Sequence, residues 1–89
     1  MEAEQREYIE RLYSRLFYQL KVYAMSNLGN EALAEEAVQE TFRIACSKPA
    51  DLLASPNPIG WIINTLRYTI RNTKRSCANA EKLLRAYQA

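Results

Sequence analysis

Apolar side chains recur along this chain at intervals of three and four in three long runs, the spacing of helices with one buried face. The first run, from about Glu4 to Asn27, sets Ile9, Leu12, Tyr13, Leu16, Phe17, Leu20, Tyr23 and Ala24 on one side. Gly29 is placed to end that helix in a left-handed turn, and Asn30 to cap the next by accepting a backbone N–H. The second run, to about Ser47, buries Ala34, Ala37, Val38, Thr41, Phe42 and Ala45. Its opposite side carries Glu36, Gln39, Glu40 and Arg43, themselves at i, i+3, i+4, i+7. A helix so divided can pack on its own domain and still offer an acidic and amide ridge to a partner.

Lys48-Pro49 closes the second helix, because proline lacks an N–H and pushes its predecessor out of the α region. Pro49 to Asn57 reads as an irregular loop, punctuated by Ser55-Pro56-Asn57-Pro58. Asn57 then reads as an N-cap with proline at the first helical position. The third helix is expected from Pro58 to about Arg75 or Ser76, followed by a separate amphipathic piece, Ala80 to Tyr87, that docks Leu83, Leu84 and Tyr87. The pattern predicts an all-α fold: a compact bundle of three main helices plus a short C-terminal helix, with the domain at 1–76 and 77–89 as that helix or the start of a linker. The expected core includes Leu12, Leu16, Leu20, Val38, Phe42, Trp61, Ile62, Leu66 and Ile70.

On the third helix Ile62, Ile63, Leu66, Thr69, Ile70 and Thr73 form the core stripe, and Arg67, Arg71, Lys74 and Arg75 share one flank. Trp61, Asn64, Thr65, Tyr68 and Asn72 gather on the other side. Cations that meet phosphates, beside aromatic and amide groups that meet bases, are what a nucleic-acid surface needs. The plain alternatives are a solvated basic face and, for Trp61, a core aromatic that closes the bundle.

Composition sharpens this. Nearly half of the 89 residues are hydrophobic and a quarter charged, which suits one small globular domain rather than a disordered chain. Residues 1–47 carry five basic and eight acidic side chains, whereas residues 48–89 carry seven basic and two acidic ones, so two different partners are suggested, the basic half facing a polyanion. No apolar run reaches the roughly 20 residues that cross a bilayer, and the acidic, polar start is no secretory signal. Cys46 and Cys77 are isolated thiols without CxxC spacing, read as free cysteines of a reducing cytoplasm. With no histidine, no glycine-rich phosphate loop and no paired carboxylate in a plausible pocket, neither an enzyme nor a metal or cofactor site is expected.

Three blocks resemble, in order and spacing, the conserved region 2 of sigma-70 family transcription factors of the extracytoplasmic-function type. They are Leu12-Tyr13 through Leu28-Gly29-Asn30, Ala34-Glu35-Glu36-Ala37-Val38-Gln39-Glu40-Thr41-Phe42, and Asn57-Pro58-Ile59-Gly60-Trp61-Ile62-Ile63-Asn64-Thr65-Leu66-Arg67-Tyr68 with Asn72 and Arg75 beyond. The resemblance implies a transcription-initiation module that grips the clamp helices of the RNA polymerase β′ subunit through Glu36, Gln39, Glu40 and Arg43, with Glu35 at the edge. It implies that the segment before the third helix, with Asp51, Ser55 and Asn57, helps capture a flipped base of the single-stranded minus-ten promoter element. Trp61, Asn64, Thr65, Arg67, Tyr68, Arg71, Asn72 and Arg75 would meet the opened strand. An anti-sigma factor is a further partner that the family admits. Where many relatives have Arg-Asn followed by Asp, this chain has Arg67-Tyr68 and then Asn72, so promoter preference does not carry over. The family's second domain, which reads the minus-thirty-five element, is not in the chain, so either a fragment cut at the interdomain linker or an unusual stand-alone region 2 is implied, and the fragment is the expectation. The competing readings are a helical protein-interaction adaptor without DNA binding and a helix-turn-helix duplex reader, which wants a tight helix pair that does not follow Pro58.

Overall fold

The computed structural model describes residues 2–88, and among them there is no strand. Four helices follow one another: α1 (Ala3–Leu28), α2 (Glu31–Ser47), α3 (Pro49–Ala54) and α4 (Pro58–Gln88). The α1–α2 corner forms as its residues dictate. Gly29 takes the left-handed conformation (φ 65°, ψ 18°), donating its N–H to the Met25 carbonyl, and Asn30 Oδ1 accepts from Leu33 N at 2.9 Å. Left-handed backbone is cheap only for glycine, so the short corner folds α2 back along α1.

All six residues of the α2 stripe are buried and meet Ile9, Leu12, Leu16, Leu20 and Ala24 of α1 and Ile62, Leu66 and Ile70 of α4. Phe42 stands edge-on to Tyr13, ring centroids 5.0 Å apart at 83°, the arrangement that aromatic quadrupoles prefer. Of the expected core, Trp61 is half-buried and only packs against the cluster, as do Ile63, Tyr13 and Phe17; Tyr23 is exposed.

Two expectations are corrected. Residues 49–54 form a helix where a loop was expected. Proline forbids helix before itself but is preorganised for the first turn, so Pro49 ends α2 and starts α3. Leu52, fully buried, pins α3 to the bundle. The short fourth helix of the fold is therefore α3, not a C-terminal one.

The second correction is that α4 does not stop near Ser76. It runs 31 residues, because Ala78-Asn79-Ala80 contains no glycine or proline to break it. Every residue from Lys74 to Gln88 is exposed, so Leu83, Leu84 and Tyr87 are not docked. A helix of this length spans about 46 Å, and the molecule measures 54 × 22 × 20 Å.

A candidate binding cleft between the second and fourth helices

The α2–α4 contact is built on small and hydroxyl side chains. Thr41 Oγ1 donates to the Ala37 carbonyl at 2.8 Å. Thr69 Oγ1 has three acceptors within reach of its one proton: the Leu66 carbonyl at 2.8 Å, the Ala37 carbonyl at 3.2 Å and Thr41 Oγ1 at 3.1 Å. Ala37 leaves room for the two helices to approach, and no buried side-chain polar atom among the described residues lacks a partner.

Above this floor lies an open cleft of about 970 Å³. Its α2 wall carries Leu33, Glu36, Glu40 and Ile44, and its α4 wall Trp61, Asn64, Thr65, Tyr68 and Asn72. Lys48, Ser76 and Cys77 also line it. Two sets of residues that the sequence assigns to different partners thus face one another. Of the ridge, Glu36 and Glu40 line the cleft while Gln39 and Arg43 do not, and Gln39 and Arg43 are exposed. Arg43 forms an ion pair with Glu40 one turn away, which cancels part of the ridge's charge.

Glu35 is committed elsewhere. Lys21 of α1 reaches Glu31 at 2.8 Å and Glu35 at 2.9 Å, tying the start of α2 to α1. The hydrogen bond to Glu31, then that to Glu35, holds the Lys21 ammonium above its ordinary range, at about 12, and the same contact draws the Glu31 carboxyl down.

The cationic flank lies outside the cleft. Arg67, Arg71, Lys74 and Arg75 are all exposed. At 100° per residue the order around α4 is Arg67, Arg71, Asn64, Arg75, Tyr68, Trp61, Asn72 and Thr65. Asn64 thus falls between Arg71 and Arg75 rather than on the side away from them, and Tyr68, 55 % exposed, follows Arg75, so the cations border the cleft wall at Asn64 and Tyr68. A strand could lie with its phosphates on the arginines and its bases over Tyr68, keeping its charge away from Glu36 and Glu40.

Three of the candidate nucleotide contacts already have structural duties. Asn57 Oδ1 accepts from Gly60 N at 3.0 Å as the cap of α4, and a Cβ at Gly60 would sit 2.6 Å from Asn57 Nδ2, so a larger residue there would push the capping side chain aside. Ser55 Oγ accepts from Asn57 N at 3.2 Å, and Thr65 Oγ1 donates to the Trp61 carbonyl at 2.8 Å. Asp51 is exposed in the first turn of α3. The sequence reading missed Lys48 and Ile44 as cleft residues; the break at Lys48-Pro49 marked an end of α2 but not which side of the chain it would face.

Among the described residues no group of three or more His, Cys, Asp or Glu side chains could hold a metal ion, and no helix is long and apolar enough to cross a membrane. Comparison of the chain with protein-family models, curated proteins and solved structures finds no match.

Proposed function

We propose that this chain is a region-2-like module of a bacterial extracytoplasmic-function sigma factor, working in the cytoplasm on RNA polymerase. In this reading α2 offers Gln39, Arg43 and the outer edge of Glu36 and Glu40 to the β′ clamp helices, and α4 offers its cationic flank, Tyr68 and the cleft-edge amides to the single-stranded minus-ten element. The reading rests first on the motif resemblance, which covers most of Tyr8 to Arg75. The observation that carries it is the arrangement of α4, where exposed Arg67, Arg71 and Arg75 adjoin Tyr68, which borders a cleft lined by Asn64 and Asn72. Extracting a base costs a few kcal/mol of unstacking, and a rigid helix with a stacking ring beside phosphate contacts can offset it.

The test is binding to a β′ clamp-helix fragment by calorimetry. Replacing Gln39 and Glu40 with alanine should weaken that affinity while leaving thermal stability nearly unchanged, since both lie outside the core. Unchanged affinity counts against the assignment. A helical adaptor without DNA binding is the second reading, favoured by the exposed Leu83, Leu84 and Tyr87. An adaptor would show no salt-sensitive binding to a single strand.

A further inference from the structure

The face of α4 that packs the core runs on, uncovered, past the end of the bundle. From Ile70 the line continues through Thr73, Cys77, Ala80, Leu84 and Tyr87 at alternating steps of three and four, the seam spacing of paired helices. Ile70 is buried, whereas Leu84 and Tyr87 are 60 % and 84 % exposed, with Leu83 beside them at 61 %. Large apolar groups in a row on a free helix are unfavourable in water and mark a surface that something covers.

We infer that a second copy of the chain covers it, antiparallel, over residues 77–88. The direction follows from what already occupies the same face. Up to Thr73 that face of α4 holds α1 and α2. A parallel partner would bring its own α1 and α2 into the same space, whereas an antiparallel one sends the two bundles to opposite ends. Side-chain size agrees. In the antiparallel register Cys77 faces Tyr87 of the second copy and Ala80 faces Leu84, so each layer sets a large side chain on a small one. The parallel register would stack tyrosine on tyrosine and alanine on alanine, crowding one layer and leaving a hole in the next. Leu83 of each copy meets its counterpart beside the two-fold axis.

The strength is bounded by length. Twelve residues extend about 18 Å, and such a contact falls below about 1,200 Å² of total buried surface, the range of reversible association. Lys82 and Arg85 lie away from the seam, and Glu81, paired with Arg85 at 3.9 Å, offsets one of them, but with the neighbouring Lys74 and Arg75 each copy keeps a net positive charge there. Salt should therefore strengthen pairing by screening, opposite to its effect on nucleic-acid binding. The inference is independent of the proposed function.

Sedimentation from about 10 μM to about 1 mM covers the range of weak contacts. The mean mass should climb from 10.3 kDa toward twice that value, and further at higher salt. Leu84→Glu should weaken association at least about tenfold, with helix content and melting temperature retained because Leu84 touches nothing in the bundle. A mass that stays monomeric throughout, or a dimer indifferent to Leu84→Glu, overturns the proposal. Direction is tested with Tyr87→Cys in a Cys46→Ser background, using diamide as oxidant. Peptide mapping should find Cys77 of one copy joined to the cysteine introduced at position 87 of the other. A bond found only between the two Cys77 residues means parallel pairing and overturns the antiparallel seam.

Discussion

The hydroxyls of Thr41 on α2 and Thr69 on α4 lie 3.1 Å apart in the core, both within reach of the Ala37 carbonyl. For Thr41 that carbonyl belongs to its own helix, and Thr69 has the Leu66 carbonyl of its own helix besides, so neither is orphaned when the other is replaced. The pair joins the two walls of the cleft at their base. Thr41→Val and Thr69→Val should each cost about 0.5–1.5 kcal/mol, the net worth of a buried hydrogen bond. The double variant should cost less than the sum, since either single substitution already breaks the bond between the two hydroxyls. Strict additivity in denaturant unfolding would mean that the two hydroxyls act separately.

Phe42 is 5 % exposed and fills the space between α1 and α2 against Tyr13. Phe42→Ala should destabilise by about 3–5 kcal/mol, a large share of what so small a domain has. A loss below about 1 kcal/mol in chemical denaturation would mean that the surrounding side chains collapse into the space.

The Lys21 clamp predicts a defined pH dependence. Glu31 titrates below its ordinary 4.5 in the folded state, so its contribution is present above that value and lost as pH falls through the folded one. Lys21 is raised from 10.5 to about 12, so its contribution is complete below 10.5 and lost only as pH rises through 12. The clamp therefore holds through neutral pH and dissolves in acid. Lys21→Met should lower the melting temperature slightly at neutral pH, and the difference should vanish in acid and shrink in high salt, as the Glu31 carboxylate is exposed and Lys21 only partly covered. A difference that persists in acid would assign the effect to the aliphatic stem of Lys21.

Much of this was legible in the residues. The α2 stripe from Ala34 to Ala45 is buried as its period implies, and Gly29, Asn30 and Asn57 do at the helix ends what their chemistry favours. The helix α3 was not legible, because six residues make less than two turns and show no period, and Pro49 was weighed as a stop without being weighed as a start. Leu83, Leu84 and Tyr87 read as docked because apolar side chains announce a need for cover but not whether the rest of the chain can reach them. The ridge on α2 and the two flanks of α4 were each visible separately. That Glu36 and Glu40 share a cleft with Tyr68 and Asn72 follows from how closely α2 and α4 pack at Ala37, a tertiary relationship that no single helix encodes.

Nucleic-acid binding makes the last prediction. Arg67 and Arg71 are exposed and touch no carboxylate among the ion pairs of the described residues, so both are available to phosphates. On reconstituted holoenzyme, Arg67→Gln with Arg71→Gln should lower affinity for the non-template minus-ten strand whatever its sequence. It should also flatten the salt dependence by up to about one unit of log–log slope for each phosphate no longer neutralised. Tyr68→Ala should act differently, because a ring stacks on bases: affinity should fall by about 1–3 kcal/mol with the salt slope unchanged. Asp51 and Ser55 sit on α3 and on its link to α4, held in place through buried Leu52, so substitutions there should alter which base is preferred and leave the slope alone. If those substitutions shift affinity equally for every base, no base pocket lies beside α3. If the arginine pair leaves the salt slope untouched, α4 is not the phosphate-binding surface, and its cations merely keep a solvated face.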